Sequence, residues 1–78
     1  MAEVISLVEM SPGEIGSVVG MQGGHGMIRN MEGMGIRIGS KIKIVSQQFM
    51  RGPVVISCGN TQVAIGFGMA RRIMVEKR

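Results

Sequence analysis

The chain has 78 residues, of which 45% are hydrophobic, 18% charged and 3% aromatic, and its net charge at pH 7 is +4. This length predicts a single domain over residues 1–78 with a small core and leaves no room for a second domain. With two Phe, no Trp and no Tyr, the chain also lacks the aromatic platforms on which single-stranded nucleic acids commonly stack.

Cysteine usage and the first ten residues bear on the compartment. Cys58 is the sole cysteine, which excludes an intrachain disulfide and fits a reducing compartment. The first ten residues contain Glu3 and Glu9 and no long apolar run, so they predict neither a signal peptide nor a membrane anchor. We therefore expect a soluble, cytoplasmic protein that does not insert into a membrane.

Turn residues and apolar spacing predict the elements of the first half. Pro12-Gly13 suits the two central positions of a type II turn, because proline presets one φ and glycine accepts the positive one that follows. The run IGSVVGM over 15–21 is apolar and β-branched, which predicts a bent strand. Over 27–34 the apolar residues follow the i, i+1, i+4, i+7 pattern of one helical face. This predicts a short helix that ends at Gly35.

The next predicted strand alternates between apolar and charged residues. Over 41–46, Ile42 and Ile44 fall on one face and Lys41 and Lys43 on the other. This period of two predicts a strand with one face in the core and one in water.

A hairpin is predicted from two further alternating runs, 54–58 and 61–65. Gly59-Asn60 joins them, and both residues tolerate the positive φ of a tight turn. One turn of helix over 68–72 and a strand over 73–75 follow. The predicted fold class is therefore all-β with one short helix, a small and partly open barrel of about five strands. The hairpin residues predicted to face the core are Val54, Ile56, Val63 and Ile65, with Cys58 on the same face.

The chemistry-bearing residues do not form a catalytic pattern. A cysteine or serine nucleophile needs a neighbouring base, and the one His and the one Cys are far apart in sequence. The five carboxylates are scattered, which gives no support to paired acid–base catalysis. We predict that the chain is not an enzyme, has no catalytic residues, and takes no cofactor and no small-molecule substrate.

His25, Cys58 and the methionines could in principle ligate a soft metal ion. Their spacing brings no two ligands to a closing distance with a third nearby, so no metal site is predicted within one chain. The glycine-rich segment 23–26 precedes the predicted helix and could cradle an anion. It lacks the Gly-Lys-Ser/Thr ending of a P-loop, and a flexible loop is the preferred interpretation.

The methionines of the predicted helix have two interpretations. They could fill irregular gaps in a core that lacks aromatic residues, or an exposed part of them could offer an adaptable surface to a protein partner. The second interpretation predicts that Met31→Asp leaves the fold intact and weakens partner binding. The candidate partner-binding residues are His25, Met27, Met31 and Met34.

Taken in order along nearly the whole chain, the motifs resemble the ferrous iron transport protein A (FeoA) family. The resemblance consists of a "PGE.G.V" turn, an "MG...G" helix exit and a "GP" strand entry. It implies an SH3-like barrel similar to the C-terminal domain of iron-dependent repressors of the diphtheria-toxin type. The matching residues are Leu7, 11–19, Gly23-Gly24, 31–36, 39–42, 52–54, Ala70 and 73–75.

The resemblance also implies a function. Members of this family are accessories of a FeoB-type ferrous iron permease, a membrane protein with a cytoplasmic GTPase domain. It therefore implies a protein-interaction module that docks on that domain and is not itself a hydrolase. The resemblance leaves the oligomeric state and the docking face open.

Two alternatives from other functional classes remain at this point. One is a small basic barrel that binds RNA or DNA through backbone phosphates, with Arg37, Lys41, Lys43 and Arg51 as its patch. The scattered charge of the chain and the lack of aromatic platforms argue against nucleic-acid binding. The other is a metal-responsive regulatory domain in which His25 and Cys58 contribute to a site between chains of an oligomer.

Overall fold

A computed structural model, described over residues 3–47 and 51–78, contains six β-strands and two α-helices within those residues. A 3₁₀ turn over Leu7–Glu9 follows the first strand. The elements in chain order are β1 (Glu3–Ser6), β2 (Ile15–Met21), α1 (His25–Gly33), β3 (Lys41–Gln47), β4 (Val54–Cys58), β5 (Thr61–Ile65), α2 (Phe67–Ala70) and β6 (Ile73–Lys77).

The six strands form one open antiparallel sheet in the order β1-β6-β2-β3-β4-β5. The last strand therefore lies between the first two, and β1 and β5 are the edges. This arrangement confirms the predicted fold class, a mostly β structure with a short helix inserted between β2 and β3. The prediction of about five strands omitted β1, which pairs with β6 from Glu3↔Lys77 to Ser6↔Met74.

Most predicted elements lie where the patterns placed them. The bounds of β2, β4 and β5 agree with the predicted strands, and β6 extends two residues beyond its prediction to Lys77. The helix α1 begins at His25 instead of residue 27, because Gly24 is its N-cap and its carbonyl accepts the first helical hydrogen bonds. The single turn α2 begins at Phe67, one residue earlier than predicted.

Among residues 3–47 and 51–78, the buried hydrophobic side chains are aliphatic or methionine, and none is aromatic. In β3, Ile42 and Ile44 are buried while Lys41 and Lys43 are exposed, which confirms the predicted alternation. Cys58 is half-buried and packs against the core from the face that it shares with its strand's buried residues. The buried hydrophobic residues are Leu7, Met10, Val18, Met31, Ile36, Ile42, Ile44, Val54, Ile56, Ile65, Ala70, Ile73 and Val75.

Two glycines with positive φ set turns that position the helix and the hairpin. Gly35 has φ +86° directly after the last turn of α1, which matches the predicted helix end. Gly59 has φ +62° in the two-residue connection of β4 to β5, while Asn60 does not share the positive φ. A single positive φ at the first central position is the pattern of a type II′ turn.

An ion pair ties the turn before β2 to the end of β6. The Lys77 Nζ lies 2.6 Å from Glu14 Oε2, and the Ser11 N–H donates to Glu14 Oε1 at 2.6 Å. The hydrogen bond from Lys77, followed by that from Ser11, lowers the pKa of Glu14. The same contact raises the pKa of Lys77. Both partners are charged at neutral pH, and the pair links two segments that are distant in sequence.

Candidate partner-binding surface

The structure separates the four predicted partner-binding residues by burial. His25 is exposed at the first position of α1. Met27 and Met34 are half-buried and pack against the core, so each has part of its side chain at the surface. Met31 is fully buried, with 0% of its surface accessible.

The assignment of Met31 to a partner-facing surface is therefore wrong. The residue lies on the side of α1 that is covered by the sheet core, and it is the one buried residue of the helix. A carboxylate at this position would be removed from water without a partner, which strongly destabilises a fold. The expectation that Met31→Asp leaves the fold intact is corrected for the same reason.

Two isoleucines, one within α1 and one after it, are exposed next to a small depression. Ile38 is 61% exposed and Ile28 is 38% exposed. They line a concavity of about 160 Å³ together with the half-buried Met21 and two charged side chains. We call this concavity the α1 pocket, defined by Met21, Ile28, Glu32, Arg37 and Ile38.

Backbone hydrogen bonds on both sides of Ile38 explain why an isoleucine remains exposed there. The Ile36 N–H donates to the Met31 carbonyl at 2.9 Å, and the Gly39 N–H donates to the Val18 carbonyl at 2.7 Å. The Arg37 N–H donates to the Ser40 hydroxyl at 2.9 Å. The segment from 36 to 40 is thus fixed to the helix and to β2, and Ile36 is buried while Ile38 points outward.

The α1 pocket combines apolar and charged side chains. Met21, Ile28 and Ile38 supply its apolar lining, and Glu32 and Arg37 supply its charged lining. Among residues 3–47 and 51–78, the ion pairs within 4.0 Å all involve Lys77, so Glu32 and Arg37 are not paired with each other. Apolar side chains accompanied by polar ones are typical of a protein-protein contact site.

Residues for other chemistries are not gathered in the same way. No group of three or more His, Cys, Asp or Glu residues suited to hold a metal ion occurs in the described part of the chain. Lys41 and Lys43 share the exposed face of β3, and the guanidinium of Arg51 lies 5.8 Å from the centre of the Phe67 ring. Within residues 3–47 and 51–78, no helix is long and apolar enough to cross a membrane.

Sequence reasoning found part of this surface and missed the rest. Ile28 belongs to the predicted helical face, but Met21 and Ile38 lie in other segments and were not among the candidates. A usable signal was present at Ile38, because a large apolar residue between turn glycines belongs to no predicted strand or helix and has no predicted place in the core. Exposed apolar residues that cluster, as Ile38 does with Ile28, are candidates for contact with another molecule.

Comparison with known proteins places the chain in a family. The FeoA domain model matches residues 5–77. A curated relative, the "Putative Fe(2+) transport protein A" of Methanocaldococcus jannaschii, is 47% identical over 53 residues, or 68% of this chain. That match spans 62% of the relative's own length.

Two solved structures show how widely the fold occurs. A crystal structure described as an iron uptake regulatory protein (FeoA) is 41% identical, covers 97% of this chain and 100% of its own, and has a TM-score of 0.91. A manganese-dependent transcriptional repressor is 19% identical and covers 100% of this chain and 44% of its own, with a TM-score of 0.90. The second likeness shows the fold alone. The family model and the close relatives together establish that the chain belongs to the FeoA domain family.

Proposed function

We propose that the chain is a cytoplasmic, non-enzymatic accessory of ferrous iron uptake that acts as one domain over residues 1–78. Its partner is the cytoplasmic GTPase domain of a FeoB-type ferrous iron permease. Iron is the cargo of the permease in this proposal, and the accessory works by a non-covalent protein contact. Family membership supports the involvement in iron transport, and the names of two relatives refer to Fe(2+) transport and to iron uptake.

The observation that carries the proposal is the α1 pocket. Ile38 exposes 61% of its surface at a position whose flanking amides, those of Arg37 and Gly39, are both hydrogen-bonded. Burying such a side chain against a partner removes apolar surface from water, and a fixed backbone lowers the entropy lost on binding. The exposed His25 and half-buried Met27 of α1, with the half-buried Met34 directly after it, extend the proposed surface.

Replacement of Ile38 tests the proposal. Because Ile38→Asp places a charge in the apolar centre of the contact, we expect the affinity for the purified GTPase domain to fall about tenfold or more, as for a central interface residue. Isothermal titration calorimetry measures this change. The side chain is exposed, so the variant should keep the thermal stability of the unmodified protein.

The matched control is Val45→Asp, which makes the same kind of change at a side chain that is 41% exposed on β3. Its affinity for the GTPase domain should stay within about twofold of the unmodified protein, since surface positions outside a contact contribute little. If Ile38→Asp binds as tightly as Val45→Asp while both remain folded, the α1 pocket is not the docking surface.

A further inference from the structure

An open groove of about 600 Å³ lies apart from the residues of the α1 pocket, where three segments distant in sequence meet. One wall is formed by the end of β1 and the 3₁₀ turn, another by the residues after β2, and the third by the turn between α2 and β6. We call it the arginine groove, defined by Ser6, Val8, Glu9, Gln22, Gly23, Arg71 and Arg72.

The two adjacent arginines provide most of the groove's charge. Arg71 and Arg72 are both exposed. In the part of the chain that the structure describes, every ion pair within 4.0 Å involves Lys77, so neither arginine belongs to one. Both arginines line the same groove, so an anion bound there is attracted to two guanidinium groups at once.

Hydrogen bonds to the two arginine carbonyls fix this turn between the other walls. The Ser6 hydroxyl donates to the Arg71 carbonyl at 2.9 Å, and the Gln22 N–H donates to the Arg72 carbonyl at 2.7 Å. The Arg72 guanidinium lies beside Gly23, since its Nη1 would be 3.9 Å from a Cβ at that position. The backbone that carries both arginines is therefore already ordered, which lowers the entropy lost when a ligand binds.

The rest of the lining restricts which anion fits. Glu9 is the one carboxylate in the wall, and it accepts a hydrogen bond from the Ser6 N–H at 3.3 Å. The lining thus carries one net positive charge, with the half-buried Val8 as an apolar contact. A phosphodiester backbone is bound by a series of Lys and Arg side chains, whereas this lining offers two arginines beside a carboxylate that repels phosphate. The mixed lining instead matches a short peptide with carboxylates for the arginines and an apolar side chain for Val8.

We infer that the arginine groove binds an acidic peptide segment of another protein, with its carboxylates held by Arg71 and Arg72. The planar guanidinium group forms two parallel hydrogen bonds with a carboxylate, which makes arginine better suited than lysine to this role. This inference is independent of the α1 pocket and of the permease. It adds a second docking surface to the molecule.

The test measures fluorescence anisotropy of a labelled peptide that alternates Asp and Leu, at low ionic strength where exposed charges are weakly screened. We expect saturable binding that Arg71→Ala/Arg72→Ala weakens at least about fivefold, as the loss of two exposed ion pairs predicts. The matched control Lys41→Ala/Lys43→Ala removes the same charge from β3 and should change the affinity less than about twofold. All variants change exposed side chains, and their thermal melting should match that of the unmodified protein.

Glu9→Gln gives a readout in the opposite direction. It keeps an oxygen that can accept the Ser6 N–H and removes the charge that repels the peptide, so the affinity should rise about twofold to threefold. Ile38→Asp should leave peptide binding unchanged, so this test does not depend on whether the α1 pocket binds the permease. Equal losses in the arginine and lysine variants would overturn the inference, and so would an unlabelled duplex DNA that binds more tightly than the peptide and displaces it.

Discussion

Methionine has different roles at different positions of this chain, and burial distinguishes them. Met31 and Met10 are 0% and 1% exposed and belong to the core. Met21 lines the α1 pocket, and Met27 and Met34 are half-buried. The flexible thioether side chain fills irregular space in a core that has no buried aromatic residue among those described. The methionines therefore serve both as buried core residues and as half-buried residues at the surface.

Substitution of Met31 tests its place in the core. Met31→Ala leaves a cavity in a fully packed site and should lower the free energy of unfolding by about 2–4 kcal/mol. Met27→Ala, at a half-buried site on the same helix, should cost no more than about half of that amount. Urea denaturation followed by circular dichroism measures both variants. Equal losses would show that Met31 is no more important to the core than Met27.

The sequence could predict the helical face of these residues but not what covers it. A period of 3.6 places Met27, Met31 and Met34 on one side of a helix. It contains no information on which part of that side the sheet contacts, because the contacting strands come from other parts of the chain. The pattern correctly identified the neighbours of Met31 on the helix. It could not show that the sheet buries this side chain, so the predicted exposure of Met31 was wrong.

At the level of elements, the pairing of β2 with β6 depends on a close approach at one glycine. A Cβ added to Gly16 would lie 2.8 Å from the Glu76 carbonyl oxygen and would overlap the Val75 side chain. A Cβ added to Gly20, in the same strand, would meet Met74 Cβ at 3.9 Å, an ordinary contact. A Cβ atom therefore fits at position 20 but not at position 16.

This difference predicts opposite effects of the same substitution. Gly16→Ala forces β2 and β6 apart and should lower the free energy of unfolding by about 1–3 kcal/mol. Gly20→Ala should leave it unchanged or raise it by up to about 1 kcal/mol, because alanine restricts the unfolded chain. Thermal melting of the two variants in parallel provides the measurement. A Gly16→Ala variant as stable as the unmodified protein would contradict the close approach.

Local patterns predicted the β4–β5 hairpin more successfully than the strand β1. The β4–β5 hairpin is defined by alternation on both sides of a two-residue turn, so all of its information is local. The strand β1 contains four residues and pairs with β6 at the opposite end of the sequence. Short edge strands without strict alternation have no local signal that distinguishes them from a loop, and β1 was missed for that reason.

At the scale of the whole molecule, non-local pairing creates the arginine groove. Insertion of β6 between β1 and β2 brings the 3₁₀ turn, the end of β2 and the α2–β6 turn together. The α1 pocket is instead built from one stretch of the chain, the end of β2, the helix α1 and the loop that follows it. No single motif contains either surface, because the groove depends on the order of strands in the sheet and the pocket on how three successive elements pack. The family resemblance predicted the fold and class of function, and the structure was needed to locate the surfaces.

The proposed role as a docking module for the permease GTPase domain is tested most directly by a titration observed residue by residue. Amide shifts of the isotopically labelled chain are followed by nuclear magnetic resonance as the purified GTPase domain is added. We expect saturable shifts concentrated at the α1 pocket, above all at Ile28, Arg37 and Ile38, with the β4–β5 hairpin unchanged. Unchanged spectra at saturating GTPase domain, or shifts confined to that hairpin, would contradict the proposal.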